Sequence, residues 1–143
     1  MSSTIRLPWH RADLRSPAAF ALRLAAAGLL GWIGYIHWHL WQEGYKYIPT
    51  NGPLFLLDAI AAVLLALVRL TWPRPLAGLA GAAFTAGTIL ALVISLSVGL
   101  FGFRESISAS YVVQSLILES VAVIILLSWT AVTAVAVMRN HRS

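Results

Sequence analysis

Long apolar stretches alternate with short polar breaks along the chain. Four of the stretches are long enough to cross a bilayer as helices, which takes about 20 residues. They lie near residues 18–41, 53–70, 76–101 and 111–138. Turn-forming residues occupy the breaks, with Pro49 and Gly52 in the first and Pro73 and Pro75 in the second. The pattern predicts an all-α protein in which residues 1–143 form a single membrane domain, an integral membrane four-helix bundle.

The amino-acid composition supports the membrane interpretation and excludes several kinds of site. Hydrophobic residues make up 59% of the chain and charged residues 10%, whereas soluble domains average about 45–50% and about 25%. Lipid must therefore cover much of the apolar surface. The chain has no cysteine, which removes disulfides, thiolate metal ligands and thiol catalysis. The basic residues lie beside the apolar stretches, so the predicted partner is the lipid bilayer, and no nucleic acid is expected.

Basic residues are divided unequally between the two ends of the predicted spans. Only Lys46 and Arg104 belong to the side opposite the chain termini. The other side carries Arg6, Arg11, Arg15, Arg23, Arg69, Arg74, Arg139 and Arg142. Because cytoplasmic ends of membrane helices carry the excess of Lys and Arg, we predict that both termini are cytoplasmic. The dominance of Arg over Lys is typical of a GC-rich bacterial genome, so the predicted location is a bacterial plasma (inner) membrane, with the chain multi-pass.

Small and hydroxyl-bearing residues recur on one face of the third predicted span. They follow alternating steps of three and four, which keep residues on one side of a helix. The set is Gly78, Gly81, Thr85, Thr88, Ser95 and Gly99, with Leu92 in the same series. Gly28 and Gly31 form a similar small-residue face on the first predicted span. Small residues let membrane helices approach closely, so we predict that these two faces point into the bundle.

Ionisable side chains gather toward the predicted outer face. Asp58 and Glu119 lie within spans, where a charged group is costly, and both share faces with small residues, so we expect them to point inward. His39 lies about 20° from Gly28 around the helix, and His37 falls on the opposite side. We therefore predict that His39 faces the bundle and His37 faces lipid headgroups.

A candidate site follows from this arrangement. The ligand or metal candidates are His39, Glu43, Asp58 and Glu119, where His39 and Glu43 have the i,i+4 spacing that lets both reach one centre. The predicted rim consists of His37, Arg104, Glu105, Tyr111 and Gln114. An alternative stays open for each part. The two intramembrane carboxylates can fix helix register, His39 can be an interfacial histidine, and Arg104 and Glu105 can be solvated loop residues.

Two segments carry a family resemblance. The first begins with His37-Trp38-His39-Leu40-Trp41 and continues through Gly44-Tyr45 and Ile48-Pro49-Thr50 to Gly52-Pro53-Leu54-Phe55-Leu56-Leu57. The second is Ser97-Val98-Gly99-Leu100-Phe101-Gly102-Phe103-Arg104-Glu105-Ser106, and the later Glu119 fits the same pattern. Together they resemble uncharacterised small four-span integral membrane proteins of actinobacteria. The number of helices is also similar to that of DoxX-like membrane proteins. The resemblance implies the fold and no activity.

Three functions are compatible with the sequence. The first is a non-enzymatic accessory or scaffold subunit that binds a membrane protein partner or forms a homo-oligomer. The second is a redox-type protein that binds a metal, a haem or a quinone at the outer polar cluster. A divalent metal suits imidazole and carboxylate ligands, whereas a haem lacks a well-placed second axial histidine. The third is a component of proton or ion transport. The sequence has no glycine-rich phosphate loop, serine elbow or zincin motif, so it favours a non-enzymatic protein. A catalytic role for His39 with Glu119 stays open.

Overall fold

The computed structural model describes residues 17–72 and 74–140, which form four long helices. Helix α1 is Pro17–Glu43, α2 is Asn51–Thr71, α3 is Pro75–Ser97 and α4 is Val112–Asn140. Each is long and apolar enough to cross a membrane. A short 3₁₀ turn, Tyr45–Tyr47, follows α1. The prediction of an all-α protein with four membrane-spanning helices is confirmed.

The helices pack as two close pairs. α1 lies along α2, α3 lies along α4, and a smaller contact between α1 and α4 joins the pairs. The contact between α2 and α3 is the least extensive of these. The connections 44–50 and 98–111 lie at the same end of the bundle, which we call the long-loop end. The short connection 72–74 lies at the opposite, short-loop end.

The polar stripe of α3 lies mostly against its neighbours. Gly78, Gly81, Thr85, Thr88 and Ser95 are all buried. A Cβ added at Gly78 would lie 2.7 Å from Oγ1 of Thr130, and one at Gly81 would lie 3.2 Å from Cδ1 of Leu126. A side chain at Gly78 would collide with α4, and one at Gly81 would press against Leu126, so glycine allows the close approach of α3 and α4.

Gly99 does not belong to this packing face, because the helix ends at Ser97, whereas the sequence places the end of the span near residue 101. α3 ends at Ser97, and Gly99 follows with a positive φ of 90°. The backbone N–H groups of Val98 and Gly99 both donate to the carbonyl of Ile94, at 3.0 Å each. Glycine adopts positive φ without a steric penalty. Gly99 therefore terminates the helix and starts the long loop.

The predicted packing face of α1 is also wrong. Gly28 and Gly31 have no atom within 4 Å of an added Cβ, and Gly28 is exposed. The glycine that meets a neighbour is Gly34, where an added Cβ would lie 3.2 Å from both the carbonyl oxygen of Ala59 and Cβ of Ala62. The buried face of α1 otherwise consists mainly of Arg23, Ala26, Ala27, Leu30, Ile33, Ile36, His37 and Leu40. Large apolar residues, and not the Gly28–Gly31 pair, mark the side that faces the bundle.

Two arginines are buried at the short-loop end. The guanidinium of Arg69, on α2, lies 4.6 Å from the ring centroid of Trp129, on α4, and Arg69 is 1% exposed. Arg23, on α1, donates a hydrogen bond to the main-chain carbonyl of Leu70. Both residues were predicted only as charges at the membrane edge. Their side chains in fact join three helices of the bundle.

A glycine substitution at the α1–α2 contact tests this packing. We expect Gly34→Leu to lower the free energy of unfolding by about 1–3 kcal/mol, because overpacking a close contact forces the helices apart. Thermal unfolding of the protein in detergent measures the change. Gly28→Leu makes the same substitution on the exposed side of α1 and should not lower stability, because leucine favours a helix more than glycine does. A larger loss in Gly28→Leu than in Gly34→Leu would show that α1 is rotated the other way.

Candidate functional site

A cavity of about 520 Å³ lies between α2 and α3 near the long-loop end. The contact between α2 and α3 is less extensive than that between α1 and α4, which leaves room for the cavity. Its walls are mainly apolar, and a small number of polar side chains interrupt them. These polar residues are His37, Asn51, Asp58, Thr88, Ser95, Glu105, Ser115 and Glu119. All four helices and the 98–111 loop therefore contribute polar groups to one space.

Glu119 is the most deeply buried acidic residue of the cavity. It lies in the first half of α4, after about two turns of helix, and is 1% exposed. Its Oε2 atom has no hydrogen-bond partner among residues 17–72 and 74–140. Thr88 lies beside it on α3, and Asp58 is near enough to interact electrostatically. Burying a carboxyl oxygen without a hydrogen-bond partner costs free energy. Oε2 of Glu119 is therefore the atom of the site that lacks a partner among the described residues.

His37 faces the cavity, which corrects the prediction that it faces lipid headgroups. The residue is 8% exposed, and its Nε2 lies 3.9 Å from Oδ2 of Asp58. Its Nδ1 lies 2.9 Å from the carbonyl oxygen of Ile33, which can only accept, so the proton of the neutral ring belongs on Nδ1. His37 follows Ile33 by four residues and Leu30 by seven, which places it on the buried face. The prediction failed because it took Gly28 as the reference for that face.

His39 lies on a different side of α1 from the cavity. Its Nε2 is 3.2 Å from Oε1 of Glu43, and the two side chains are 30% and 52% exposed. The ring also stacks on Tyr35 at a centroid distance of 5.7 Å and meets the ring of Tyr111 edge-on at 5.4 Å. The i,i+4 contact between His39 and Glu43 therefore forms, but it forms at the helix surface.

The four predicted ligand candidates do not converge on one point. His39 and Glu43 form one pair outside the cavity, whereas Asp58 and Glu119 line it. Across residues 17–72 and 74–140, no group of three or more His, Asp or Glu side chains is arranged to hold a metal ion. The four ligand or metal candidates therefore divide between two places in the described part of the chain and do not form one site.

The predicted rim residues also divide. Glu105 lines the cavity and accepts hydrogen bonds from Oη of Tyr45 at 2.7 Å and from the backbone N–H of Ser106 at 2.9 Å. Arg104 is exposed, and its Nε lies 3.5 Å from the carbonyl oxygen of Leu96. Gln114 is exposed on α4. Of the rim set, only His37 and Glu105 therefore belong to the cavity.

The loop after α3 folds back over the cavity. Leu100 and Phe103 pair across a tight turn whose central residues, Phe101 and Gly102, both have positive φ. This backbone conformation is that of the type I′ turn, which favours glycine at its second central position. The turn is fixed to α3 because Ser95 donates its hydroxyl to the carbonyl of Phe103 at 3.3 Å and accepts the backbone N–H of Glu105 at its own carbonyl at 3.1 Å.

A second set of contacts joins the two loops of the long-loop end. Asn51, at the start of α2, donates its side-chain amide to the carbonyl of Leu100 at 3.1 Å. The ring of Tyr45 contacts Phe55 at a centroid distance of 4.6 Å and Phe103 at 5.8 Å. The residues that close the cavity therefore come from segments that are distant in sequence. The sequence analysis predicted Ser95 only as a residue of the packing face and did not single out Asn51, whose role depends on a loop that is distant in sequence.

The cavity opens at the lipid-facing surface of the bundle. Ala83, Gly87 and Leu90 line it on α3, and all three are exposed. Glu119 lines the same space and is 1% exposed. The space therefore extends from a mouth at the side of the bundle to a carboxyl group near its centre. Such a shape can take an apolar molecule from the bilayer and present a polar partner to its head group.

Comparisons with protein-family profiles, with curated proteins and with solved structures find no match for this chain. The resemblance to small actinobacterial membrane proteins stays a prediction.

The hydrogen bond between Tyr45 and Glu105 connects the two loops of the long-loop end. The stability of the protein at high pH tests this contact. Burial and the hydrogen bond to Glu105 raise the pKa of Tyr45 above its ordinary value, which is about 10. A raised pKa means that the folded state holds the phenolic proton more tightly than the unfolded state. The protonated phenol therefore makes its full contribution to the free energy of unfolding when the pH is below the ordinary pKa. That contribution decreases as the pH rises above this value.

We expect Tyr45→Phe to lower the free energy of unfolding by about 0.5–1.5 kcal/mol at neutral pH, because it removes this hydrogen bond. The difference from the wild type should shrink as the pH rises above about 10. Thermal unfolding across that range measures it. Tyr47→Phe is the matched control, since Tyr47 is 79% exposed, and should leave stability unchanged. A difference between wild type and Tyr45→Phe that does not vary with pH would contradict the assignment.

Proposed function

We propose that this protein binds a lipid-soluble small molecule in the cavity between α2 and α3. The observation that carries the proposal is Glu119, which lines an apolar cavity and whose buried Oε2 has no hydrogen-bond partner among the described residues. Binding sites for small molecules are typically clefts of roughly 300–1,000 Å³ with apolar walls and a few convergent polar groups. The cavity has a volume of about 520 Å³, an apolar lining and polar groups from every helix.

The intramembrane carboxyl group supports binding over a purely structural role. A carboxylate within a bilayer is costly, and such groups are usually paired or functional. A residue that only fixes helix register would be expected to have both oxygens hydrogen-bonded to a neighbouring helix. Glu119 has Thr88 beside it, but Oε2 stays without a described partner. A ligand that donates a hydrogen bond or carries a positive charge would satisfy it.

The site supports binding more than passage of ions. The polar groups of the cavity lie in the half of the bundle nearest the long-loop end. Between Glu119 and the short-loop end, the interior contains apolar clusters. One consists of Ile33, Ala62 and Ala122, and another of Ala26, Ala82 and Leu126. An ion that reached Glu119 would meet packed hydrocarbon on the way to the other side. The hypothesis of an accessory or scaffold subunit stays a prediction that no described contact addresses.

The proposal includes an orientation in a bacterial plasma membrane. The excess of Lys and Arg around the termini and the 72–74 connection supports a cytoplasmic location for that side. The long-loop end then faces outward. The cavity would lie in the outer half of the bilayer and would receive its ligand from the outer leaflet.

Photo-crosslinking with benzophenone, a neutral and membrane-soluble ketone, tests occupancy of the cavity. On irradiation of the reconstituted protein, we expect adducts to concentrate on residues that line the cavity, such as Phe55 and Leu92, when peptides are mapped by mass spectrometry. Gly87→Phe should remove those adducts. Gly87 lines the cavity and has open space around an added Cβ, so the larger side chain can fill the mouth without a clash.

Gly28→Phe is the control for this experiment, because an added Cβ at Gly28 also meets nothing within 4 Å and the residue does not line the cavity. It should leave the adducts in place. Adducts spread evenly over exposed leucines and valines, or adducts that persist in Gly87→Phe, would count against the proposed function.

The absence of cysteine makes the orientation measurable with single cysteine substitutions. We expect Ser110→Cys, in the exposed part of the 98–111 loop, to react with a membrane-impermeant maleimide added to intact cells. Thr71→Cys, exposed at the short-loop end, should react only after the membrane is permeabilised. The reverse labelling pattern would invert the topology and place the cavity in the cytoplasmic leaflet.

A further inference from the structure

We infer that the molecule bound in the cavity is a lipophilic cation, such as an organic amine or onium compound, with Glu119 as its counter-ion. This inference rests on the ligand-binding function proposed above and adds the charge of the ligand. It follows from three features of the cavity: the charges of its lining, the carboxyl group that has no described partner, and the aromatic rings in its walls.

The charged lining of the cavity has one sign. Three carboxyl groups line it, those of Asp58, Glu105 and Glu119, and no described lining residue is Lys or Arg. Among the described lining residues, the only other ionisable group is the imidazole of His37, which lies 3.9 Å from Asp58. An anionic ligand would therefore meet carboxylates without a basic side chain to bind it. A cation would meet opposite charge inside a low-dielectric space, where the attraction is strong.

The three carboxyl groups are not equally available. Asp58 has His37 beside it, and Glu105 accepts hydrogen bonds from Tyr45 and Ser106. Oε2 of Glu119, in contrast, is fully buried and has no described hydrogen-bond partner. A buried charge is tolerated when it is paired. Glu119 is therefore the carboxyl group of the lining to which a bound cation would bring the missing partner, with Asp58 adding to the negative potential.

Aromatic rings line the same cavity and suit an organic cation. Phe55, Phe84, Phe101 and Phe103 all contribute to its walls. Cations are attracted to the faces of aromatic rings within roughly 6 Å, and the remaining apolar lining suits the hydrocarbon part of the ligand. A small metal ion fits this lining less well than an organic cation does. Ca²⁺ needs about 6–8 oxygen ligands, and the described residues contain no group of three acidic or histidine side chains that could hold a metal ion. The lining therefore favours a large and weakly hydrated cation.

Two ions of the same size and shape and of opposite charge provide the test. Tetraphenylphosphonium is a permanent cation, and tetraphenylborate is its anionic counterpart. Equilibrium dialysis would measure each ion against the full chain in nanodiscs of neutral phosphatidylcholine, with empty nanodiscs as the background. We expect saturable binding of tetraphenylphosphonium to the wild type and no saturable binding of tetraphenylborate.

Variants assign the binding to Glu119. Glu119→Gln keeps the shape of the side chain and removes its charge, and we expect it to weaken tetraphenylphosphonium binding by at least about tenfold, because a close charge pair is lost. Glu43→Gln removes the same charge from an exposed position outside the cavity and should leave the affinity unchanged. Gly87→Phe should also abolish binding by filling the cavity without altering Glu119, which keeps the test valid if Glu119→Gln does not fold.

The outcomes separate this inference from the proposed function. Equal saturable binding of both ions, or full tetraphenylphosphonium affinity in a folded Glu119→Gln protein, would overturn the cation assignment. If benzophenone still labelled the cavity in that case, the ligand-binding function would stand and the ligand would be neutral. If neither tetraphenylphosphonium nor benzophenone occupied the cavity, the inference and the proposed function would fail together.

Discussion

The structure depends on the requirement that each backbone N–H and C=O group in hydrocarbon find its partner within the protein. Each membrane-spanning helix meets that requirement by itself. The hydrophobic effect does not drive one helix against another, because lipid is as apolar as the helix surfaces. Association then relies on close van der Waals contact, which needs small residues. Gly34 supplies this between α1 and α2, and Gly78 and Gly81 supply it between α3 and α4. Two tight helix pairs result, and the looser contact between α2 and α3 leaves the cavity.

The loops at the long-loop end determine the shape of that cavity as much as the helices do. Gly99 ends α3 early enough for the following turn to fold back onto it. The hydrogen bond from Tyr45 to Glu105 and that from Asn51 to Leu100 then connect this turn to the other helix pair. Each contact joins residues at least 49 positions apart in sequence. The site therefore exists only when both pairs have assembled.

Charge is separated along the bundle. Acidic side chains line the cavity near the long-loop end, whereas buried Arg23 and Arg69 hold the short-loop end together through a main-chain carbonyl and the ring of Trp129. Packed apolar residues such as Leu30 and Leu126 lie between the two regions. The basic end thus has a structural role in addition to any role in orientation. The acidic end keeps an open space, which is why the proposed chemistry belongs there.

The sequence by itself was sufficient for the number of helices, for their bounds at most ends, and for the buried stripe of α3. Span length and turn residues are local properties, and a stripe of Gly, Thr and Ser contrasts clearly with leucine-rich surroundings. It also indicated Asp58 and Glu119, because ionisable residues are rare inside apolar runs. These features depend on residue type and spacing alone, so no knowledge of neighbouring helices was needed.

Only the tertiary structure decided how α1 is rotated, and with it which histidine belongs to the site. Lipid is as apolar as a protein interior, so Leu, Ile and Ala occur on every side of α1, and its apolar pattern does not select one face. The choice between Gly28 and Gly34, and hence between His39 and His37, depends on the shapes that α2 and α4 present. The same reason separates His39 and Glu43 from Asp58 and Glu119. Their convergence would have required a different rotation of α1 about its axis.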